Sequence, residues 1–358
     1  MELDVRGTPE AIDEAWMTNA LGAAGAGTGT VTDVRFRGEI GTGQTGRNAR
    51  FDLTWDDPTD RPASVVAKFP SADPEARVAA FTNGTYAREF AYYGLIDHTV
   101  DIRTPRIWAA RYDESAPDFV LLMEDLSDSL QGDQIAGLSV DDAALALEQA
   151  VALHAPRWGD ESIPELLGTD APPEEQIAAV TMIYAATMPG FLERLGDRLD
   201  DDVVALVQAL ADKVGQWALG TDTARTIVHM DYRPDNLLFG DTPDAPPLVV
   251  VDWQTANYGL AMNDVAYLIG GSFEPERRAF AEADLVEEYR RQLVARGVAY
   301  DAEAAWRDYR HGSLWGVAMT VIATMLAERT ERGDDMLTAM AQRHGRHALD
   351  LDALDLVE

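Results

Sequence analysis

The chain has 358 residues, which is long for a single hydrophobic core and predicts two lobes or domains. A formal charge of −33 argues against nucleic acid or an anionic membrane as the main partner, and the absence of cysteine excludes disulfides, thiol nucleophiles and thiolate metal sites. No apolar run reaches the ~18–20 residues of a membrane span and no basic secretory leader opens the sequence, so we expect a globular cytoplasmic protein without a membrane partner.

The first predicted elements are a helix and a β-hairpin. The helix is expected to begin near Pro9 with Thr8 as its N-cap. Residues 31–40 and 49–55 then alternate apolar and polar side chains, as half-buried strands do. Between the two strands lies a G-x-G-x-x-G sequence, Gly41-Thr42-Gly43-Gln44-Thr45-Gly46.

This glycine sequence is compatible with two kinds of nucleotide site. In a dinucleotide-binding fold a helix follows the glycines. Here a strand is expected to follow them, and a glycine loop inside a β-hairpin is the arrangement that covers the ATP phosphates in kinases. A flexible hairpin tip without a binding role is the alternative that the residues leave open.

The next strand, residues 63–70, is of the buried type and carries Lys68 near its end. Among the 29 basic residues only Lys68 and Lys213 are lysines. A chain that uses arginine almost everywhere suggests that each lysine has a function that arginine could not perform. A compact ammonium group can reach between two phosphate groups, whereas a guanidinium group is planar. A helix is predicted over residues 76–96, and Glu89 in its second half is the predicted partner of Lys68. A lysine that extends from the strand end into solvent is the alternative.

Two further strands, at residues 105–111 and 119–126, complete the first lobe. The second strand runs directly into a polar connector, which suits a hinge between lobes. Backbone groups of Glu124 and Leu126 could read the edge of an adenine ring, and Met123 would lie beside that ring.

From residue 139 onward the sequence is rich in alanine and leucine and predicts helices. Ser139 opens the first helix with a capping box. His154 on this helix is interpreted as a structural residue. Further helices are predicted near residues 174–188, 200–219, 276–296, 302–328 and 336–354.

Three polar side chains follow apolar runs between these helices. Asp231 precedes Asn236 by five positions in a polar loop, and Asp252 ends the next apolar run. Phosphoryl transfer needs an acceptor base and oxygen ligands for magnesium, with little covalent chemistry from the protein. The three side chains could supply both.

Taken in order, the glycine hairpin, the strand lysine, the helix glutamate, the hinge and the polar loop resemble the aminoglycoside phosphotransferase and choline-kinase-like branch of the protein-kinase-like fold. The most specific part is His229-x-Asp231-x-x-x-x-Asn236 followed by Asp252. Met230 stands where protein kinases carry an arginine, and no Ala-Pro-Glu follows Asp252. The resemblance therefore favours a small molecule with a hydroxyl or amine acceptor group over a protein substrate.

This resemblance implies an α+β, bilobal protein-kinase-like fold. It combines a small antiparallel-sheet N-terminal lobe with one helix and a larger, mostly helical C-terminal lobe. The nucleotide-binding lobe would cover residues 1–123, the hinge residues 124–128, and the lobe with the catalytic loop and acceptor site residues 129–358.

The resemblance also implies a role for each site residue. Asp231 would accept or orient the proton of the acceptor hydroxyl, and Asn236 and Asp252 would hold Mg²⁺. His229 and Asp264 would support the catalytic loop. The residues that would bind ATP are Gly41, Thr42, Gly43, Gly46, Lys68, Glu89, Met123, Glu124 and Leu126.

Two departures from the kinase pattern leave alternatives open. Arg47-Asn48 follow the glycines where many kinases have a small residue and valine, and Trp253-Gln254 replaces Phe-Gly. One alternative is a catalytically silent nucleotide-binding protein on the same fold. Another is an NAD(P)-dependent enzyme, which predicts a helix after the glycines.

The charge of the acceptor is also open. Acidic residues lie in residues 160–175 and at Asp350, Asp352 and Asp355. They could meet an aminoglycoside-like or choline-like cation, or they could be solvated surface.

Overall fold

The computed structural model describes residues 3–26, 29–41, 45–326 and 329–357. The chain divides into two compact units. One comprises Met1–His98, Thr104–Ser129 and Val251–Gln254, and the other comprises Thr99–Arg103, Leu130–Val250 and Thr255–Glu358. The lobe and hinge limits derived from the sequence stay a prediction.

The first unit is built on a five-stranded antiparallel sheet in the order β1-β2-β3-β5-β4. Because side chains alternate along a strand, Phe69 of the third strand faces the core while Lys68 faces away from it. Trp16 and Leu21 of the first helix, α1 (Glu14–Ala23), pack against the core face. The strands are β1 (Val31–Ile40), β2 (Gly46–Trp55), β3 (Ser64–Pro70), β4 (Ile107–Asp113) and β5 (Asp118–Glu124).

The first helix begins later than predicted. Thr8 makes no side-chain cap, and Pro9–Ala11 form only a short 3-10 turn. Asp13 caps α1 instead, because its Oδ1 accepts a hydrogen bond from the Trp16 N–H at 2.7 Å.

The helix predicted over residues 76–96 is also interrupted. Gly84, at φ 70°, separates α2 (Pro74–Thr82) from α3 (Thr85–Ala91), and a π-helical turn over Tyr92–Ile96 follows. Two α-helices and a π-helical turn therefore replace the single helix predicted over residues 76–96.

The second unit is mostly helical, and Ser139 caps its first long helix as predicted, accepting from the Asp142 N–H at 3.0 Å. Its helices are α4 (Val140–His154), α5 (Ile163–Leu167), α6 (Pro173–Leu195), α7 (Asp201–Ala211), α8 (Val214–Trp217), α9 (Ala261–Ser272), α10 (Pro275–Ala295), α11 (Ala302–Leu326) and α12 (Glu331–Asp350). Small sheets in the orders β6-β8-β9 and β10-β7 contain β6 (Ser129–Gln131), β7 (Thr226–Val228), β8 (Leu237–Gly240), β9 (Leu248–Val250) and β10 (Asn257–Gly259).

The predicted α+β class, with an antiparallel N-terminal sheet and a helical C-terminal region, is confirmed. Every residue of α9 is buried, so this helix forms the centre of its unit. Among the described residues, no helix combines the length and the apolar character needed to cross a bilayer.

Candidate active site

A buried ion cluster lies in the first unit, on the sheet face that carries Lys68. The Lys68 ammonium donates to both carboxylate oxygens of Glu89 on α3 at 2.8 Å, and it donates to Asp252 Oδ1 at 3.0 Å. Burial disfavours the ammonium charge, but the carboxylates of Asp252 and Glu89 more than offset this cost and raise the pKa of Lys68. The lysine therefore stays charged in a site where it is only 8% exposed.

Gly46, the first residue of β2, lies against this lysine. A Cβ atom at Gly46 would meet Phe69 O at 2.9 Å and Lys68 Cε at 3.2 Å. Both distances are too short for ordinary packing, so only glycine lets the end of the hairpin approach Lys68 this closely.

The other hairpin residues are described only in part. Gly41 is exposed and has φ 75°, a backbone conformation that favours glycine. Thr42 and Gly43 lie outside the described residues. A strand rather than a helix follows Gly46, which contradicts the NAD(P) alternative.

Of the two residues near the end of β5 that were predicted to read a base edge, one has a backbone N–H group available for this. Met123 is half-buried at the end of β5, and the Glu124 N–H donates to Arg106 O at 2.9 Å. Leu126 O accepts from Ser129 N, whereas the Leu126 N–H has no acceptor among the described residues. The backbone donor that could read a base edge is thus that of Leu126.

In the second unit, Asp264 of α9 holds the polar loop that follows β7. Its two carboxylate oxygens accept from His229 N at 2.7 Å and from Met230 N at 2.8 Å. His154 Nε2 lies 3.2 Å from Asp264 Oδ2, so this histidine contacts the loop support. The His229 Nδ1 accepts from Asp231 N at 3.3 Å, which links the histidine to the catalytic candidate.

Asp231 is contacted from three sides. The Asn236 amide donates to the Asp231 backbone oxygen at 2.8 Å and to its Oδ2 at 2.9 Å. Arg233 Nε lies 3.1 Å from Asp231 Oδ1, and the Tyr267 hydroxyl donates to the same oxygen at 3.3 Å. These donors fix the orientation of the carboxylate.

Asn236 and Asp252, considered separately, each carry oxygen atoms of the type that magnesium prefers. Because Asn236 turns its amide nitrogen toward Asp231, its Oδ1 faces away, and no donor among the described residues satisfies that oxygen. Amide and carboxylate oxygens are hard ligands, and magnesium in phosphoryl-transfer sites takes one or two carboxylates, with water and substrate phosphates completing its shell. In the described ranges, no group of three or more His or acidic side chains could hold a metal on its own.

Arg233 and Tyr267 were missed from the sequence although both contact Asp231. Burial alone would lower the pKa of Arg233, but the carboxylates of Asp231 and Asp235 outweigh this effect and raise the pKa above its ordinary value. This guanidinium therefore stays charged. Burial, reinforced by Asp231, raises the pKa of Tyr267, so its hydroxyl remains a donor. Arg233 could have been found from its place in the loop, whereas Tyr267 required knowing which face of α9 meets the loop.

A model of the phosphotransferase enzyme family matches residues 46–310, which is well over half of the chain. The chain belongs to this phosphotransferase family. The match begins at Gly46 and includes Lys68, the Asp231 loop and Asp252. Among curated proteins, none matches the chain significantly.

Solved structures place this phosphotransferase-family chain on a protein-kinase-like fold. A candidate aminoglycoside phosphotransferase of Ralstonia eutropha JMP134 superposes with a TM-score of 0.56 at 18% identity, over 94% of this chain and 97% of that chain. The aminoglycoside phosphotransferase APH(2″)-IIIa, in complex with GDP and kanamycin, gives 0.53 at 14% identity, over 90% and 94%. A choline kinase of Cryptosporidium parvum Iowa II gives 0.51 at 10% identity, over 89% of each chain. At these identities the likeness establishes the fold alone, and it confirms the predicted resemblance.

Proposed function

We propose that this protein is an ATP- and magnesium-dependent phosphotransferase that moves the γ-phosphate to a hydroxyl group of a small molecule. The acceptor would be an aminoglycoside-like compound, an amino alcohol, a sugar or another alcohol. The observation that carries the proposal is the fixed carboxylate of Asp231, held by Arg233, Asn236 and Tyr267 in a chain of the phosphotransferase family.

In this proposal each side chain acts mainly by position and charge. Asp231 orients the acceptor hydroxyl and takes its proton, and it need not be strongly basic because the transition state is loose. Lys68, held by Glu89, would bind the α- and β-phosphates of the nucleotide. Asn236 and Asp252 would be the magnesium ligands, and the ion, when bound, neutralises charge on the phosphates.

The donor and acceptor remain to be chosen by experiment, and the comparisons suggest the first compounds to test. Because a structural neighbour was solved with GDP and kanamycin, GTP belongs beside ATP, and aminoglycosides belong beside amino alcohols and sugars. Two of the acids that could attract a cationic acceptor are already paired, since Asp160 lies 2.6 Å from Arg157 and Asp350 contacts Arg278. The set of acceptors to be tested therefore contains as many neutral alcohols as cationic compounds.

The test measures nucleotide diphosphate release and phosphorylated product with ATP or GTP, magnesium and each acceptor. We expect Asp231→Asn to lower turnover on the active acceptor by ~10²–10⁴-fold, because the acceptor base is lost while the shape of the side chain is kept. Asp212→Asn, an exposed acid at the end of α7, is the matched control and should leave turnover unchanged.

Two results would contradict the proposal. If the wild type binds magnesium–nucleotide but transfers phosphate to no acceptor, the silent nucleotide-binding alternative is correct. If transfer occurs and Asp231→Asn retains it, Asp231 is not the acceptor base.

A further inference from the structure

Gln254, two residues after Asp252, connects three parts of the first unit. Its side-chain oxygen accepts from Thr45 Oγ1 at 2.6 Å, and its side-chain nitrogen donates to Asp252 Oδ2 at 3.3 Å. Its backbone oxygen accepts from Arg88 Nη1 at 3.3 Å. One residue thus contacts the end of the glycine hairpin, the Asp252 carboxylate and helix α3.

The hairpin end that Gln254 contacts is fixed from a second direction. Thr45 directly precedes Gly46, and the backbone oxygen of Thr45 accepts from the Tyr86 hydroxyl at 2.7 Å. Tyr86, Arg88 and the lysine partner Glu89 all belong to α3. The hairpin, α3 and Gln254 therefore form one connected network of hydrogen bonds.

The chemistry of an amide suits this position. Thr45 offers a hydroxyl donor and Asp252 offers a carboxylate acceptor, so the linking side chain must accept on one atom and donate from another. Glutamine does both, whereas an ionised glutamate only accepts and would repel Asp252, and a lysine only donates. Lys68 donates to the other Asp252 oxygen, Oδ1, so Lys68 and Gln254 each hold one oxygen of this carboxylate.

We propose that Gln254 is a positioning residue that couples Thr45, at the described end of the glycine hairpin, to Asp252, so that nucleotide and magnesium strengthen each other's binding. A nucleotide bound against Gly46 would restrain Thr45 and, through it, Gln254, and Gln254 would then hold the Asp252 carboxylate for magnesium. By linkage, the effect runs equally in the other direction. The proposal rests on the proposed function, because it takes the hairpin and Asp252 as the nucleotide and magnesium sites.

The test is a binding experiment that needs no acceptor. Dissociation constants for ATP and GTP are measured by calorimetry, with magnesium and with EDTA, for the wild type, Thr45→Val, Gln254→Leu and the double variant. Thr32→Val is the matched control, because its hydroxyl also donates within the first unit, to Thr54 O, away from Gln254. Melting temperatures of all variants show whether each one folds.

In EDTA, we expect Thr45→Val and Gln254→Leu each to weaken nucleotide binding by roughly threefold to tenfold, the range for one lost hydrogen bond. The double variant should be no weaker than Gln254→Leu alone, because Thr45 acts through Gln254. With magnesium, Thr45→Val and Gln254→Leu should both lose a further factor of similar size, because either change breaks the link between the hairpin end and Asp252. Thr32→Val should bind as the wild type does.

Additive losses in the double variant, or a Gln254→Leu loss that is the same with and without magnesium, would overturn the coupling. Unchanged affinities in both single variants would overturn it as well. A wild type that binds no nucleotide under either condition would instead refute the proposed function, and the coupling would fall with it.

Discussion

At the scale of single residues, the backbone is strained where the proposed chemistry takes place. Met230 and Asp252 both have φ 68°, a left-handed conformation that costs a non-glycine residue ~1–2 kcal/mol. Met230 is fixed on both sides, because its N–H donates to Asp264 at 2.8 Å and its oxygen accepts from Trp315 Nε1 at 3.0 Å. This fixed turn directs the chain into Asp231, so the strain accompanies a defined carboxylate position.

The buried pair of Lys68 and Glu89 allows a prediction about stability. Removing one member of a buried ion pair leaves the other uncompensated and typically costs ~3–5 kcal/mol. We expect Lys68→Met to lower the free energy of unfolding by about 3 kcal/mol in urea denaturation. Lys68→Met combined with Glu89→Gln should cost clearly less than the sum of the two single changes.

Lys213→Met is the matched control, since the hydrogen bonds of its ammonium within the described part of the chain go to backbone oxygens, those of Leu354 and Val357. Its cost should add to that of Glu89→Gln without coupling. Additivity between Lys68→Met and Glu89→Gln would show that the pair is not coupled in solution.

At the scale of elements, Gly84 determines where α2 ends and α3 begins. Because Gly84 has φ 70° and an added Cβ would meet nothing within 4 Å, Gly84→Ala introduces backbone strain without a clash. We expect Gly84→Ala to destabilise the protein by about 1 kcal/mol in urea denaturation. Gly94→Ala, at an open position without a positive φ, should be neutral or slightly stabilising. Equal effects of the two changes would show that the αL conformation of Gly84 does not decide the break.

The sequence predicted elements better than it predicted contacts. Apolar alternation located β1 at the observed residues, Val31–Ile40, because strand periodicity is a local property. The prediction that the first helix begins near Thr8 was wrong. Asp13 caps the helix instead, and the amino-acid types alone do not show which of these two residues makes the better cap.

Local sequence patterns did not predict the contacts between residues that are distant in the chain. The Tyr267–Asp231 hydrogen bond joins residues 36 positions apart, and the Thr45–Gln254 bond joins residues 209 apart. Neither hydrophobic periodicity nor helix capping specifies such pairs, since they depend on how the folded helices, strands and loops pack against one another. For this reason the sequence identified Asp231, Asn236, Lys68 and Asp252 as candidate site residues. It missed the contacts of Arg233 and Tyr267 with Asp231 and the contact of Gln254 with Asp252.

At the scale of the whole molecule, two buried histidines make stability depend on pH. His344 and His347 of α12 lie in spaces that only glycine permits, because a Cβ at Gly316 would overlap His344 and one at Gly270 would overlap His347. Burial, aided by the nearby charges of Arg343 and Arg278, lowers the pKa of His344 to about 3. Burial and Arg278 likewise lower the pKa of His347 well below its ordinary value.

The sign of the effect follows from proton uptake in the unfolded chain. Below pH ~6.5 an unfolded histidine binds a proton that its buried native form does not bind. The contribution to stability is therefore complete above that pH and declines as the pH falls toward the depressed native pKa. The slope approaches about 1.4 kcal/mol per pH unit for each histidine.

The measurement belongs between pH 6.5 and 5, because most of the 62 acidic residues titrate at lower pH and their charge changes would then obscure the histidines. We expect the free energy of unfolding in urea to fall as the pH is lowered across this window. It should fall less steeply in His344→Asn, because this variant lacks one of the two histidines whose protonation is disfavoured in the native state. His98→Asn, at an exposed position, is the matched control and should keep the wild-type slope. If His344→Asn keeps that slope too, His344 is not the buried neutral group that the packing against Gly316 requires.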